Sequence, residues 1–428
     1  MRLRQTTEII TPNFDKKLSI MLFMEKFYLN KGYHKCSKNL IIRMLYNFYF
    51  SYLRKIITLI KNTKFIFKNP EKKSLLIYDC ENSKFLEMLL SDINYTVLSV
   101  RIEKINEIYI SKKIIFSLIS NFFRASLKQN YIISIIKIIN PKIVITNVDN
   151  SEDFHITSKL LKKTNIRFIA IQHAHRGDTI WKNQEELKKI HIPEFFCFSN
   201  FDKQIHEERK CKIEKYSIVG SLRASLAINY IKSKKLKIDP ETYDICLISE
   251  PQSITSGDFK HVTDIQEKVG KIAQYTFRLA KEKNLKIIFS GKLDDPSEET
   301  YYYNHFLKNY KFQISPQKSE EFSTYINIMK SKMVIGHVST TPREAIALKK
   351  KVLVCNFTGH KDLIFPSNGI CTMKNEVEYD DFKKRVLSIM SMPQTEYINN
   401  LSEDVNQIMN TKVKTTEVIR EKLNTILN

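Results

Sequence analysis

From residue 73 onward the chain alternates short apolar runs with amphipathic stretches. Runs at 74–78, 95–100, 142–146, 167–171, 194–198 and 216–219 each predict a strand. Helices are predicted at 85–90, at 154–162 and, as a packed pair, across 112–139. The pattern lapses in the Lys- and Ser-rich stretch 222–240, which ends in Asp239-Pro240, and then restarts. Strands follow at 243–248, 285–289, 312–314, 333–335 and 352–354, with helices at 263–282, 319–330, 379–391 and 398–425. Strand–helix alternation of this kind builds a parallel sheet with helices on both faces. The chain is therefore α/β, with two Rossmann-like, doubly wound domains in series, at 73–221 and 241–395. They are joined by a linker at 222–240 and followed by a C-terminal helix at 396–428. Ligands of such sheets bind beyond the carboxyl ends of the strands. The polar clusters lie at those ends, so the two domains are expected to face one cleft.

The most informative local pattern is Gly336-His-Val-Ser-Thr-Thr-Pro-Arg-Glu-Ala-Ile-Ala-Leu348. A buried strand, 333–335, stops at Gly336, and small hydroxyl residues open a helix. Free N–H groups and the positive end of the helix dipole then face the crevice, where phosphate is the usual guest. Ser339, Thr340 and Thr341 are candidate phosphate donors, and Glu344 is a candidate partner for ribose hydroxyls. An ordinary capped helix explains the same residues, and a first-turn carboxylate that only complements the dipole explains Glu344.

At 428 residues the chain is long enough for two such domains. The net charge of +23 allows nucleic acid, an anionic membrane or anionic substrates as partners. About half of the excess lies in residues 1–74, where sixteen Lys and Arg stand against Glu8, Asp15, Glu25 and Glu71. With the charge concentrated outside the predicted sheets and no nucleic-acid-binding signature, nucleic acid is the weakest of the three. Residues 1–72 form a basic N-terminal extension, expected to be helical. Within it, 40–60 has near-spanning length but is interrupted by Arg43, Arg54 and Lys55. A helix lying on an anionic membrane and a helix packed on the main domain are both open. The first apolar stretch, 18–23, is too short for a signal peptide. The seven cysteines show no pairing or metal-ligand spacing, which fits a reducing, cytoplasmic setting.

The ordered set Leu75-Leu-Ile-Tyr-Asp-Cys-Glu-Asn-Ser83, Ile143-Val-Ile-Thr-Asn-Val-Asp-Asn150, Ile169-Ala-Ile-Gln-His-Ala-His-Arg-Gly177, Phe195-Phe-Cys-Phe198, Ile218-Val-Gly-Ser221 and the Gly336 motif resembles the bacterial surface-carbohydrate biosynthesis transferases. These have the GT-B glycosyltransferase fold and are related to glycerophosphotransferases and to capsule transferases. The resemblance spans about 73–390. It implies a nucleotide-sugar donor held mainly by the second domain, and as acceptor a cell-surface glycan, such as capsule, lipopolysaccharide or a teichoic-type polymer, or a lipid-linked precursor. With the cysteine pattern and the basic, aromatic extension 1–72, the expected location is the cytoplasm, peripheral to the inner face of the membrane. Two departures are His173-Ala174, where the family often has Asn-Gly, and Ser290-Gly-Lys292, a partial match to a Lys, Arg or His-Pro element.

Inverting glycosyl transfer needs a base at the acceptor hydroxyl and positive charge at the leaving diphosphate. His173 is the candidate base and Asp149 the runner-up. Arg176 is a candidate for an anionic acceptor or the diphosphate, and Lys292 for the diphosphate. A retaining reaction needs no protein base. No Asp-x-Asp metal motif occurs at a suitable strand end, so neither metal nor cofactor is expected beyond the donor substrate. A nucleotide-sugar epimerase of the same shape remains the alternative enzyme, drawing on His173, His175, Asp149 and Glu250. A basic nucleic-acid-binding protein is the alternative outside enzymes.

Overall fold

A computed structural model describes residues 63–428 except 102–103, 106, 122–124, 177–189, 252–263, 360–362, 364 and 402. The expected N-terminal helices, over 1–62, lie outside the described residues, whereas 64–66, expected to be helical, form a strand. Contacts divide the chain into two units, one comprising Met1–Ile66 and Arg101–Ile108, the other Phe67–Val100 and Tyr109–Asn428. A two-stranded sheet pairs β1 (Lys64–Ile66) with β4 (Glu107–Tyr109). Both large sheets belong to the second unit.

The first sheet is six-stranded, in the order β3-β2-β5-β6-β7-β8, and every pairing is parallel. In chain order its elements are β2 (Leu75–Tyr78), α1 (Ser83–Leu89), β3 (Tyr95–Leu98), α2 (Lys112–Ser120), α3 (Leu127–Ile139), β5 (Ile143–Thr146), α4 (Glu152–Leu160), β6 (Arg167–Ile171), β7 (His191–Cys197), α5 (Asn200–Glu208) and β8 (Lys212–Ile218). Strands β2 and β5 are buried along their whole length, which explains their unbroken apolar runs. The chain leaves β2 outward to β3 and returns to β5 on the other side. The topological switch point, where such sheets open a crevice, thus falls between β2 and β5.

Helix α6 (Leu222–Ser233) occupies most of the stretch expected to be a linker. Ser221 caps it by accepting a hydrogen bond from the Ala224 amide, and its apolar side is buried. The second sheet is again six-stranded and parallel, in the order β11-β10-β9-β12-β13-β14. Its elements are β9 (Tyr243–Ile248), α7 (Asp264–Lys283), β10 (Ile287–Ser290), α8 (Ser297–Phe306), β11 (Ile314–Ser315), α9 (Ser323–Met329), β12 (Ser331–Gly336), α10 (Thr340–Ala347), β13 (Lys351–Cys355), β14 (Thr372–Met373) and α11 (Tyr379–Ser391). Here the switch point lies between β9 and β12, where the Gly336 motif begins. The two doubly wound sheets are separate, as the fold class requires.

The chain then departs from the single helix expected at 398–425. It forms α12 (Gln394–Asn399), α13 (Val405–Ile408) and α14 (Thr415–Leu427). Helix α14 returns to the first sheet, where Ile419 and Leu423 join Ile143, Ile145 and Leu86 in one core. Asn410 fixes this return, because its amides donate to the carbonyls of Phe198 and Ile218. Gly220, at φ +84, lies against it, and an added Cβ would sit 2.4 Å from the Asn410 carbonyl oxygen.

Candidate active site

Asp149 follows β5 and His173 follows β6, so parallel pairing brings them to one sheet edge. Asp149 is buried, and its Oδ1 lies 2.8 Å from His173 Nδ1 and also accepts from the His173 amide at 3.3 Å. Arg176 binds the same carboxylate through Nε to Oδ2 at 2.9 Å and Nη2 to Oδ1 at 2.6 Å. Burial alone would push the Asp149 carboxyl up. The Arg176 charge and the hydrogen bonds from His173 and Arg176 outweigh this and hold it well below the usual carboxylate range. An ionised carboxylate only accepts, so His173 Nδ1 donates to it, with Arg176 Nη2 3.3 Å from the same nitrogen, and the His173 side chain keeps 16% of its exposure. Arg176 therefore does not present itself to an acceptor or diphosphate. It is buried and committed to Asp149 and to Asn150 Oδ1 at 3.1 Å.

On the second sheet Lys292 stands at the end of β10 and Glu250 at the end of β9, with Nζ and Oε2 3.3 Å apart. The Lys292 side chain is 56% exposed. Its backbone is anchored by the fully buried Glu299, whose carboxylate accepts from the amides of Lys292 and Leu293. Gly291 is required there, since a Cβ would fall 2.8 Å from Glu299 Oε2 and 2.9 Å from the Ser315 carbonyl. At the switch point, Ser339 is the N-cap of α10 but accepts no capping hydrogen bond. Its Oγ is buried without a partner, as is His337 Nε2. Burial pushes the His337 imidazole down to about 4, so it is neutral near pH 7.

The edges of the two sheets meet. Thr340 Oγ1 accepts from the His175 amide at 2.6 Å. Glu344 is buried, with Oε1 accepting from Ser221 Oγ and Oε2 accepting from Tyr325 OH at 2.9 Å. Burial raises its pKa against the opposing charges of Arg223 and Arg343 and the bonds from Ser221 and Tyr325. The carboxylate expected to hold ribose is thus engaged in joining the two halves. Arg343, wholly buried, reaches Asp202 on α5, the carbonyl of Ile408, Ser199 Oγ and His175 Nδ1. Gln172 completes this knot, donating to Asp202 Oδ1 at 2.7 Å and accepting from the Phe198 amide at 3.0 Å.

Asp149, His173 and Arg176 are therefore brought together on one edge, and Lys292, Gly336, Ser339, Thr340, Thr341 and Glu344 belong to the other. Nothing local in the sequence marks Arg343, Asp202, Gln172 and Ser221 as structural partners. Arg343 lies inside the Gly336 motif, but its partner Asp202 is 141 positions away and carries no local signature. Among the described residues no group of three or more His, Cys, Asp or Glu could hold a metal ion. Six cysteines are free, and Cys36 lies outside the described residues.

No protein-family model and no curated protein matches the chain. Solved structures that resemble it include UDP-GlcNAc 2-epimerase from Neisseria meningitidis bound to UDP-GlcNAc, at 12% identity and TM-score 0.49, covering 85% of this chain and 100% of that one. Sucrose-phosphate synthase from Thermosynechococcus elongatus gives 9% and 0.47, covering 83% and 99%. An H444N variant of the wall teichoic acid polymerase TagF gives 10% and 0.44, covering 90% and 96%. At these values the likenesses carry no argument about activity, and the two-sheet architecture rests on its own topology.

Proposed function

We propose that the protein is a glycosyltransferase that moves a sugar from a nucleotide-activated donor to a hydroxyl of a bacterial surface glycan or its lipid-linked precursor. The observation that carries this reading is the buried Asp149 carboxylate on Nδ1 of the partly exposed His173 side chain, which leaves Nε2 as the base at the edge that meets α10. Nε2 takes the acceptor proton as the acceptor oxygen bonds to the anomeric carbon and the bond to the diphosphate breaks. Lys292, the free Ser339 Oγ, Thr341 and the start of α10 supply positive charge and hydrogen bonds to the departing nucleotide. Arg176 acts by holding Asp149.

The test offers a panel of nucleotide-sugars with and without glycan and lipid-linked acceptors. A nucleoside diphosphate released in step with a lengthened acceptor supports transfer. A donor sugar returned with altered configuration and no acceptor product would establish the epimerase instead.

A further inference from the structure

We propose that the outer face of α2 docks on the surface of an anionic lipid bilayer. This helix buries Ile114 and packs Leu118 against the first core, and Ser117 Oγ hydrogen-bonds Ser134 Oγ of α3 at 2.7 Å. The opposite face should be polar if it met only water. It is instead Ile115, Phe116 and Ile119, exposed to 47%, 74% and 71%. Leu127, which opens α3, is 67% exposed. Phe67 is 78% exposed and lies two residues from Asn69, whose Oδ1 accepts from Ser111 Oγ, the N-cap of α2. These five account for half of the ten large apolar side chains exposed among the described residues. Three of them on one helix, with the other two on segments next to it in the chain or tied to its N-cap, mark an interaction surface, whereas scattered apolar residues would not.

Charge selects the occupant. From Ile108 to Val148 the sequence has no Asp or Glu, and Lys112 and Lys113 open α2; Lys128, next to Leu127, is paired with Asp153 and is no part of the border. Lys68 and Lys72 are exposed on the segment that Asn69 ties to the helix. An apolar stripe with a cationic border matches the acyl–headgroup boundary of an anionic leaflet, with apolar side chains inserted shallowly and lysines at the phosphates. A second copy would set two cationic borders against each other. No helix among the described residues is long and apolar enough to cross a membrane, so the attachment is interfacial. The inference is independent of the donor and of the base.

The experiment is co-sedimentation of the full chain with vesicles of phosphatidylcholine alone or with one-third phosphatidylglycerol. The expected result is binding to the anionic vesicles that weakens with salt and falls at least tenfold in Phe116→Ser/Ile119→Ser. Because a changed surface can alter folding, a second protein carries Phe116→Trp with Trp181→Phe. Its fluorescence should be quenched by brominated lipid only in the anionic vesicles. Unchanged partitioning of the serine variant, or no quenching of the bound tryptophan protein, overturns the proposal. A change of oligomeric state with vesicle binding intact overturns it in favour of a second copy. All readouts are taken without nucleotide, so they stand or fall separately from transferase activity.

Discussion

Arg343 and Asp202 form an ion pair with both side chains out of water, Nη2 2.6 Å from Oδ2 and Nη1 3.0 Å from Oδ1. Arg343 belongs to α10 on the second sheet and Asp202 to α5 on the first, so the pair ties the halves directly behind the two candidate edges. Its remaining donors are used on Ser199 and on the carbonyl of Ile408, and Asp202 is further bonded by Gln172 and Ser199. A pair this fully satisfied fixes a single arrangement, because breaking it strands a charge in a dry interior.

Arg343→Ala should therefore lower unfolding stability by roughly 3–5 kcal/mol, and Arg343→Lys should recover little because it loses the bidentate fork. The double replacement Arg343→Met/Asp202→Leu should cost clearly less than Arg343→Ala. Guanidinium denaturation of the three variants measures this. A loss below about 1 kcal/mol in Arg343→Ala would mean that the pair contributes no more than a surface contact.

What could be read in advance divides along the range of the interactions. The strands at β2 and β5 were visible because strands covered on both faces are apolar throughout, and the strand order then placed Asp149 and His173 together. Helix α6 was hidden because its Lys- and Ser-rich tail looks like solvent-exposed linker, while its buried side rests on small residues such as Ala224 and Ala227. The broken C-terminal helix depends on Asn410, whose hydrogen bonds reach carbonyls far away in sequence. The role of Glu344 was illegible for the same reason: Ser221 lies 123 positions away, and only the fold makes them neighbours.

Lys292 and Glu344 should now separate. Lys292 is exposed at the second edge, so Lys292→Ala should leave the melting temperature unchanged and weaken nucleoside diphosphate binding about tenfold or more, the usual worth of a charged hydrogen bond. Glu344→Ala removes a buried acceptor from both Ser221 and Tyr325. It should lower the melting temperature by several degrees, with any loss of binding following from misplaced halves. Calorimetric titration beside thermal denaturation distinguishes the two. Equal melting temperatures for wild type and Glu344→Ala would contradict the bridging role.

Acid should destabilise the protein in two stages. His155 is buried, and burial pushes its imidazole from 6.5 down to about 4 against the His191 backbone bond and the Asp149 charge. The unfolded chain binds that proton below about 6.5 and the native chain only near 4, so stability is complete above 6.5 and falls as pH drops through this window. Asp202 behaves as a depressed carboxylate. Burial would raise it, but the Arg343 charge and the bonds from Arg343, Gln172 and Ser199 bring it to about 2. Its contribution is present above about 3.8 and is lost towards 2. Melting temperature against pH should show the first fall reduced in His155→Gln, where His337, also pushed down to about 4 by burial, keeps its share, and the second fall retained. An identical slope between pH 4 and 6.5 in that variant would exclude His155 as its source.

The dyad makes the sharpest claim about chemistry. If His173 Nε2 is the base, Asp149 serves by fixing the tautomer that leaves this nitrogen unprotonated. His173→Ala should lower kcat by about 10²–10⁴, the usual worth of a general base, with little change in donor KM. Asp149→Asn presents an amide that can donate to Nδ1, moving the ring proton to Nε2 and presenting the acceptor with a donor where a base is needed. It should approach the loss of His173→Ala even though the ring stays in place. Arg176→Gln removes the charge that holds Asp149 ionised, so it should shift the acid limb of the kcat profile upward in pH while sparing donor binding. These variants are compared by acceptor-dependent nucleotide release across pH, with donor affinity measured separately. Near-normal kcat in both His173→Ala and Asp149→Asn would remove the base from this edge and leave a retaining transfer, in which the departing diphosphate accepts the proton, as the mechanism consistent with Lys292 and the start of α10.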